Sequence, residues 1–171
     1  MKQDQRPLVG QIQKEITTRR YQLGEEKILQ EIYSESSRRL NSKDYTPEQI
    51  ERWIEKHADI EEWVLRLKGT NPFVVTVAGT PVAFGELEAT GHIDFFYCHP
   101  DHVGQGAGAL LFKAITAEAL KLGLATLYAE VSVTAQPFFT KMGFQIIEER
   151  APIICDAPAK QFIMSKQITA L

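Results

Sequence analysis

The chain has 171 residues, 44% of them hydrophobic and 24% charged, with 22 acidic against 19 basic side chains and a formal charge of −3. That is the size and balance of one ordinary globular domain, without the basic surplus of a general nucleic-acid binder. Two cysteines, Cys98 and Cys155, lie far apart, and no Cys/His cluster has zinc-ligand spacing, so free thiols and no metal are expected. No apolar run approaches the roughly 20 residues that cross a bilayer. Met1 to Gln13 lacks the apolar centre of a secretory signal, so the expectation is a cytoplasmic protein with no membrane or nucleic-acid partner.

Residues 1–13 are polar, Gln-rich and aperiodic and read as a flexible tail, which leaves 14–171 as a single domain. Glu15 to Arg19 alternates around Ile16 as a short strand. From Gly24 onward Ile28, Leu29, Ile32 and Tyr33 recur at helical spacing. A second helix follows Asn41-Ser42-Lys43-Asp44, with Thr46 as N-cap, Pro47 at its first position and Ile50, Trp53 and Ile54 as its apolar stripe. Residues 24–63 hold eleven acidic and six basic side chains, the pattern of a solvated helical surface.

After Gly69-Thr70-Asn71-Pro72 the pattern turns to strands. Phe73 to Val77 and Val82 to Leu87 form a hairpin around Ala78-Gly79-Thr80-Pro81, and the turn Ala89-Thr90-Gly91 leads into a strand over 92–98. Then come His99-Pro100-Asp101-His102, a glycine-rich loop, a helix from Ala107 to Leu122 and a strand from Leu124 to Val131. A short helix over 135–142 is closed by Gly143, and strands over 144–148 and 162–166 complete the chain. The order is β-α-α-β-β-β-α-β-α-β-β, a mixed α/β domain.

Chemistry concentrates in Val103-Gly104-Gln105-Gly106-Ala107-Gly108-Ala109. Each glycine costs about 1 kcal/mol of helix propensity relative to alanine, so three at a helix start serve another purpose. They let a ligand approach the backbone, where unpaired N–H groups and the helix dipole suit a phosphate or pyrophosphate. A Walker A loop is excluded because Gly108-Ala109-Leu110 lacks its Gly-Lys-Ser/Thr. Gly104-x-Gly106-x-x-Ala109, with Glu130 beyond, imitates a dinucleotide fingerprint. However, five residues separate it from the strand and only about 40 follow Glu130, too few for the rest of that fold.

The succession strand, His-Pro-Asp loop, glycine loop, helix, strand, then Phe138-Phe139-Thr140-Lys141-Met142-Gly143-Phe144 resembles the GNAT superfamily of acyl-CoA-dependent N-acetyltransferases. Tyr45 to Gln49 with Trp53, His92 to Tyr97, and Ala135 to Phe139 look most like its YafP-like branch. The resemblance implies a mixed, mostly antiparallel twisted sheet with helices on both faces and two splayed parallel strands around acetyl-CoA. It implies further that backbone groups of Tyr97 and Cys98 pair with the pantetheine arm. Val103, Gly104, Gln105, Gly106, Ala107, Gly108 and Ala109 would hold the pyrophosphate, and Ser132 and Phe139 would flank the cofactor.

Three positions depart from the family pattern. Val103 stands where Gln or Arg is usual, Ser132 where an Asn is frequent, and Phe139 where many relatives carry the Tyr that protonates the departing thiolate. The acceptor would be an amine, with His92 or Asp94 taking its proton, since imidazole titrates near neutral pH. On a regular strand His92, Asp94, Phe96 and Cys98 share one face, and Ile93, Phe95 and Tyr97 the other. Glu86 and Glu88 on the preceding strand are weaker candidates for the base, each read first as an edge-strand charge that discourages aggregation. Cys98 reads as a small apolar strand residue. The alternatives are a non-catalytic acyl-CoA-binding module or a lysine acetyltransferase, in a monomer or homodimer.

Overall fold

Helix starts follow from local chemistry in the computed structural model, which describes residues 15–168; the expected tail 1–13 lies outside the described residues. After strand β1 (Ile16–Arg20) come helices α1 (Glu26–Leu40), α2 (Pro47–Glu55) and α3 (Ile60–Thr70). Thr46 Oγ1 accepts from Gln49 N at 3.2 Å while Gln49 Oε1 accepts from Thr46 N at 3.0 Å, a complete capping box ahead of Pro47. Two helices were expected before the first hairpin, and there are three. Asp59 Oδ1 accepts from Glu61 N and Glu62 N at 2.9 Å each, so the polar stretch that hides α3 in the sequence contains its cap. Trp63 and Leu67 bury its inner face, and Asn71 ends it in the left-handed region.

Strands β2 (Phe73–Val77), β3 (Thr80–Leu87) and β4 (Ile93–Cys98) join β1 in an antiparallel sheet ordered β1-β2-β3-β4. Helix α4 (Ala107–Lys121) leads to β5 (Thr126–Ser132), then to α5 (Gln136–Lys141) and β6 (Gln145–Arg150). A two-residue hairpin, β7 (Ile153–Ile154) and β8 (Ala157–Pro158), was not expected; its turn residues Cys155 and Asp156 both adopt positive φ. Strand β9 (Gln161–Gln167) lies between β5 and β6 in a second antiparallel sheet.

The two sheets meet at one parallel bridge, His92 to Tyr128, and β4 and β5 are not paired beyond it. This is the splay of two parallel strands that the resemblance implied. On one face α4 covers Ala83, Ile93, Leu127, Val131 and Met164 with Leu111 and Ile115. On the other, α1 and α3 cover Val74, Phe84 and Phe95 with Leu29, Ile32, Trp63 and Leu67. These side chains are almost wholly withdrawn from water, the term that dominates the stability of such a layer.

Candidate active site at the strand splay

The closed end of the splay is built by the turn between β3 and β4. Gly91 has φ near +90°, and a Cβ there would sit 2.3 Å from the Thr126 carbonyl oxygen, so β5 reaches its place only beside a glycine. Gly91 N donates to Glu88 O at 3.0 Å, Glu88 N to His92 O at 2.9 Å, and Tyr128 N to Gly91 O at 3.0 Å. The His92 ring stacks on Tyr128, 4.9 Å between centroids and 19° between planes. Its Nδ1 lies 3.3 Å from Glu88 Oε2, and its side chain is 19% exposed.

The expected division of faces along β4 does not hold. Gly85 pairs with Phe96 and Leu87 with Ile93, so three steps along β4 match two along β3. The extra residue is a bulge, and it turns the alternation over. Ile93, Phe96 and Cys98 pack toward α4, whereas Phe95 and Tyr97 pack toward α1 and α3. Asp94 is thereby drawn to Arg66 of α3, with which it forms an ion pair, and it makes none with His92. The same guanidinium grips Glu86 through Nε and Nη2 at 3.2 and 2.6 Å and lies 4.3 Å from the centre of the Phe95 ring.

Glu86 is 1% exposed. Burial pushes its carboxyl above the ordinary range, and the Arg66 N–H groups pull it back. Because β3 is paired on both sides, Glu86 is not an edge-strand charge, and Glu88 follows a central strand rather than an edge. The carboxylate that meets His92 is Glu88, which the sequence left as a weaker candidate.

Beyond the closed end β4 offers a free strand edge. His99 N donates to Val82 O at 2.7 Å, which fixes the alternation of the antiparallel ladder. Tyr97 therefore turns its N–H and C=O toward Phe84 of β3, while Phe96 and Cys98 turn theirs toward β5. Of the two residues expected to present backbone groups to the splay, Cys98 does so and Tyr97 does not; Phe96 takes its place. Burial pushes the Cys98 thiol up to about 11, the state of an inert, protonated sulfur.

The glycine loop lies at the other end of this edge. Gly104 and Gly106 have φ of 78° and 93°, and a Cβ on either would meet nothing within 4 Å, so backbone conformation is what requires them. Leu110 N donates to Gly106 O at 3.0 Å as the first backbone bond of α4, and among the described residues nothing accepts from the N–H groups of Gly106, Ala107, Gly108 or Ala109. Gly108 has a different reason: a Cβ there would stand 3.1 Å from the Phe138 ring. Gln105 Nε2 donates to Asp101 O at 2.8 Å, which folds this side chain back on the loop, while Val103 is exposed. Ser132 Oγ accepts from Ala135 N at 3.1 Å and so shapes the turn into α5. Phe139 is 4% exposed, wedged against Phe96, Phe138 and Phe144 with ring centroids 5.1–5.8 Å away.

Sequence reasoning missed how the open mouth is bridged. Arg39 donates to Asp101 at 2.6 Å, in the loop after β4. Tyr45 accepts from Val133 N at 2.9 Å, just after β5, and its hydroxyl donates to Lys160 O at 2.5 Å. Thr134 donates to Asp44 at 2.6 Å. Segment 39–45 thus touches both arms of the splay. Gln49 Nε2, donating at 3.1 Å to both Ile154 O and Ala157 O, docks α2 on the β7–β8 hairpin. The visible signal was an aromatic residue directly before the Thr46-Pro47 cap; its partners lie 88 and 115 residues away.

Among the described residues no group of three His, Cys, Asp or Glu side chains could hold a metal ion, and no helix is long and apolar enough to cross a membrane. Residues 41–152 match the family model of the GNAT acetyltransferase domain. The chain is 27% identical over 136 residues to the uncharacterized N-acetyltransferase YafP of Escherichia coli, covering 79% of this chain and 85% of that protein. It superposes with a TM-score of 0.83, at 30% identity, on a GCN5-related N-acetyltransferase from Rhodopseudomonas palustris, covering 89% of this chain and 95% of that one. The PaiA N-acetyltransferase of Thermoplasma acidophilum, solved with coenzyme A, shares the fold at a TM-score of 0.73 and 20% identity, covering 90% and 99% of the two chains. The glycine loop, the splayed strands and these likenesses agree: the chain belongs to the GNAT acetyltransferase family and is an acyltransferase.

Proposed function

We propose that the protein transfers an acetyl group from acetyl-CoA to the amine of a small molecule, by direct attack while both are held in the splay between β4 and β5. One observation carries this reading. The unpaired N–H groups of Gly106 to Ala109 stand at the positive end of a 15-residue helix, beside a free β-strand edge. Anions are favoured at such an end, and an arm containing amides can pair with such an edge. With Val103 in place of a Gln or Arg, the backbone does this work without help from that side chain.

Acetyl-CoA supplies an activated thioester, and holding it beside the amine supplies much of the rate. The chain's own contribution to proton transfer is assigned to His92, with its imidazole at the closed end of the splay on the face of Tyr128. Asp94 is committed to Arg66 and holds that part of β4 in place instead. Phe139 carries no proton to give, so the thiolate leaves as an anion and is protonated by solvent.

Release of free thiol from acetyl-CoA, followed over a panel of small amines, tests the reading; an accepted amine should raise release well above hydrolysis. Phe139 favours a second reading, an acyl-CoA-binding module without turnover. Saturable acetyl-CoA binding with no release on any small amine or lysine peptide would select it. Turnover restricted to lysine peptides would move the acceptor to protein.

A further inference from the structure

Among the described residues, the carboxylates near the closed end leave Glu88 as the one that meets His92. Asp94 is paired with Arg66, and Glu130, next but one to Tyr128 along β5, lies 3.7 Å from Arg150. Glu88 Oε2 stands 3.3 Å from His92 Nδ1. We infer that Glu88 is a positioning residue: it holds the His92 imidazole with its proton on Nδ1, so that Nε2 carries the free lone pair that receives the acceptor's proton. The inference rests on the reading of His92 as the proton acceptor.

The chemistry follows from what each group can do. A neutral imidazole has one N–H and one lone pair, and the partner of one nitrogen decides the role of the other. An ionised carboxylate only accepts, so its approach to Nδ1 favours the tautomer with hydrogen there. Ring orientation is fixed separately. Tyr128 stacks on one side of His92, and its own hydroxyl lies 3.2 Å from Thr90 Oγ1. Glu88, Thr90 and His92 all project from the five-residue turn that Gly91 closes, and the mutual backbone bonds of Glu88, Gly91 and His92 hold that turn. Glu88 is itself half exposed and follows a central strand, so its carboxylate has no burial or edge-protecting duty to explain it.

The test is nitrogen-15 spectroscopy of the imidazole side chains in the full chain at pH 8, with the His92 signals assigned by their loss in His92→Ala. In the native protein His92 should show the Nδ1–H tautomer, and Glu88→Ala should return it to the Nε2–H form that free imidazole side chains prefer. With an accepted amine, Glu88→Ala should lower kcat about tenfold at unchanged KM for acetyl-CoA, and Glu88→Asp should restore part of it. A native tautomer that is already Nε2–H overturns the inference, as does a fall in kcat with no change of tautomer. Full turnover by His92→Ala would instead overturn the proton-acceptor reading, while the tautomer measurement still reports on Glu88 by itself.

Discussion

At its closed end the splay is held by main chain, with Tyr128 N on Gly91 O and the Thr126 carbonyl in the space a side chain at 91 would need. At its mouth the same two strands are bridged by side chains, Arg39 to the loop after β4 and Tyr45 to the residue after β5. The first arrangement tolerates no change in one glycine. The second is assembled from separate polar contacts, each replaceable, around a loop in which, among the described residues, nothing accepts from the N–H groups of Gly106 to Ala109. A rigid apex with an adjustable mouth suits a site that must fix one reacting group and admit two ligands.

Substitutions at the two ends should therefore differ in kind. Gly91→Ala places a methyl group against the Thr126 carbonyl in a left-handed conformation and should cost about 3 kcal/mol or more, a fall of about 6–12 °C in Tm by calorimetry. An unchanged Tm would remove the backbone account of the apex. Tyr45→Phe comes next. It leaves the Val133 N–H and the Lys160 carbonyl without their shared partner and should cost about 1–2 kcal/mol in denaturant unfolding, with weaker acetyl-CoA binding. Stability lost with affinity intact would make Tyr45 a fold contact only. Arg39→Ala should be smallest: its ion pair with Asp101 is exposed, so Tm should hold, and any loss of affinity should fade as salt is raised. An effect that survives high salt would show that Arg39 acts by packing.

What the sequence disclosed follows the same division between local and distant causes. The glycine loop was legible because its conformation, its free N–H groups and its helix lie within seven consecutive residues. The capping box at Thr46 was half legible for the same reason, through Thr46 and Pro47. The face of Asp94 was not, because the bulge in β4 exists only in its register with Gly85 and Leu87 of β3. A strand read alone keeps its alternation, and one extra residue sends Asp94 to Arg66. Helix α3 was lost among Asp59, Glu61 and Glu62, whose polarity masks a cap. Gly91 read as an ordinary turn residue, since the carbonyl that makes it irreplaceable comes from Thr126.

On the proposed function, the N–H groups at the start of α4 hold the phosphates of acetyl-CoA. Calorimetric titration of acetyl-CoA into native protein and Gly106→Glu tests this directly, because Gly106 lies in open space and its replacement adds both a carboxylate and strain where an anion should dock. Native protein should bind saturably and the variant at least about tenfold more weakly, with the fold retained by circular dichroism. Equal affinity in the two proteins would contradict that placement of the phosphates.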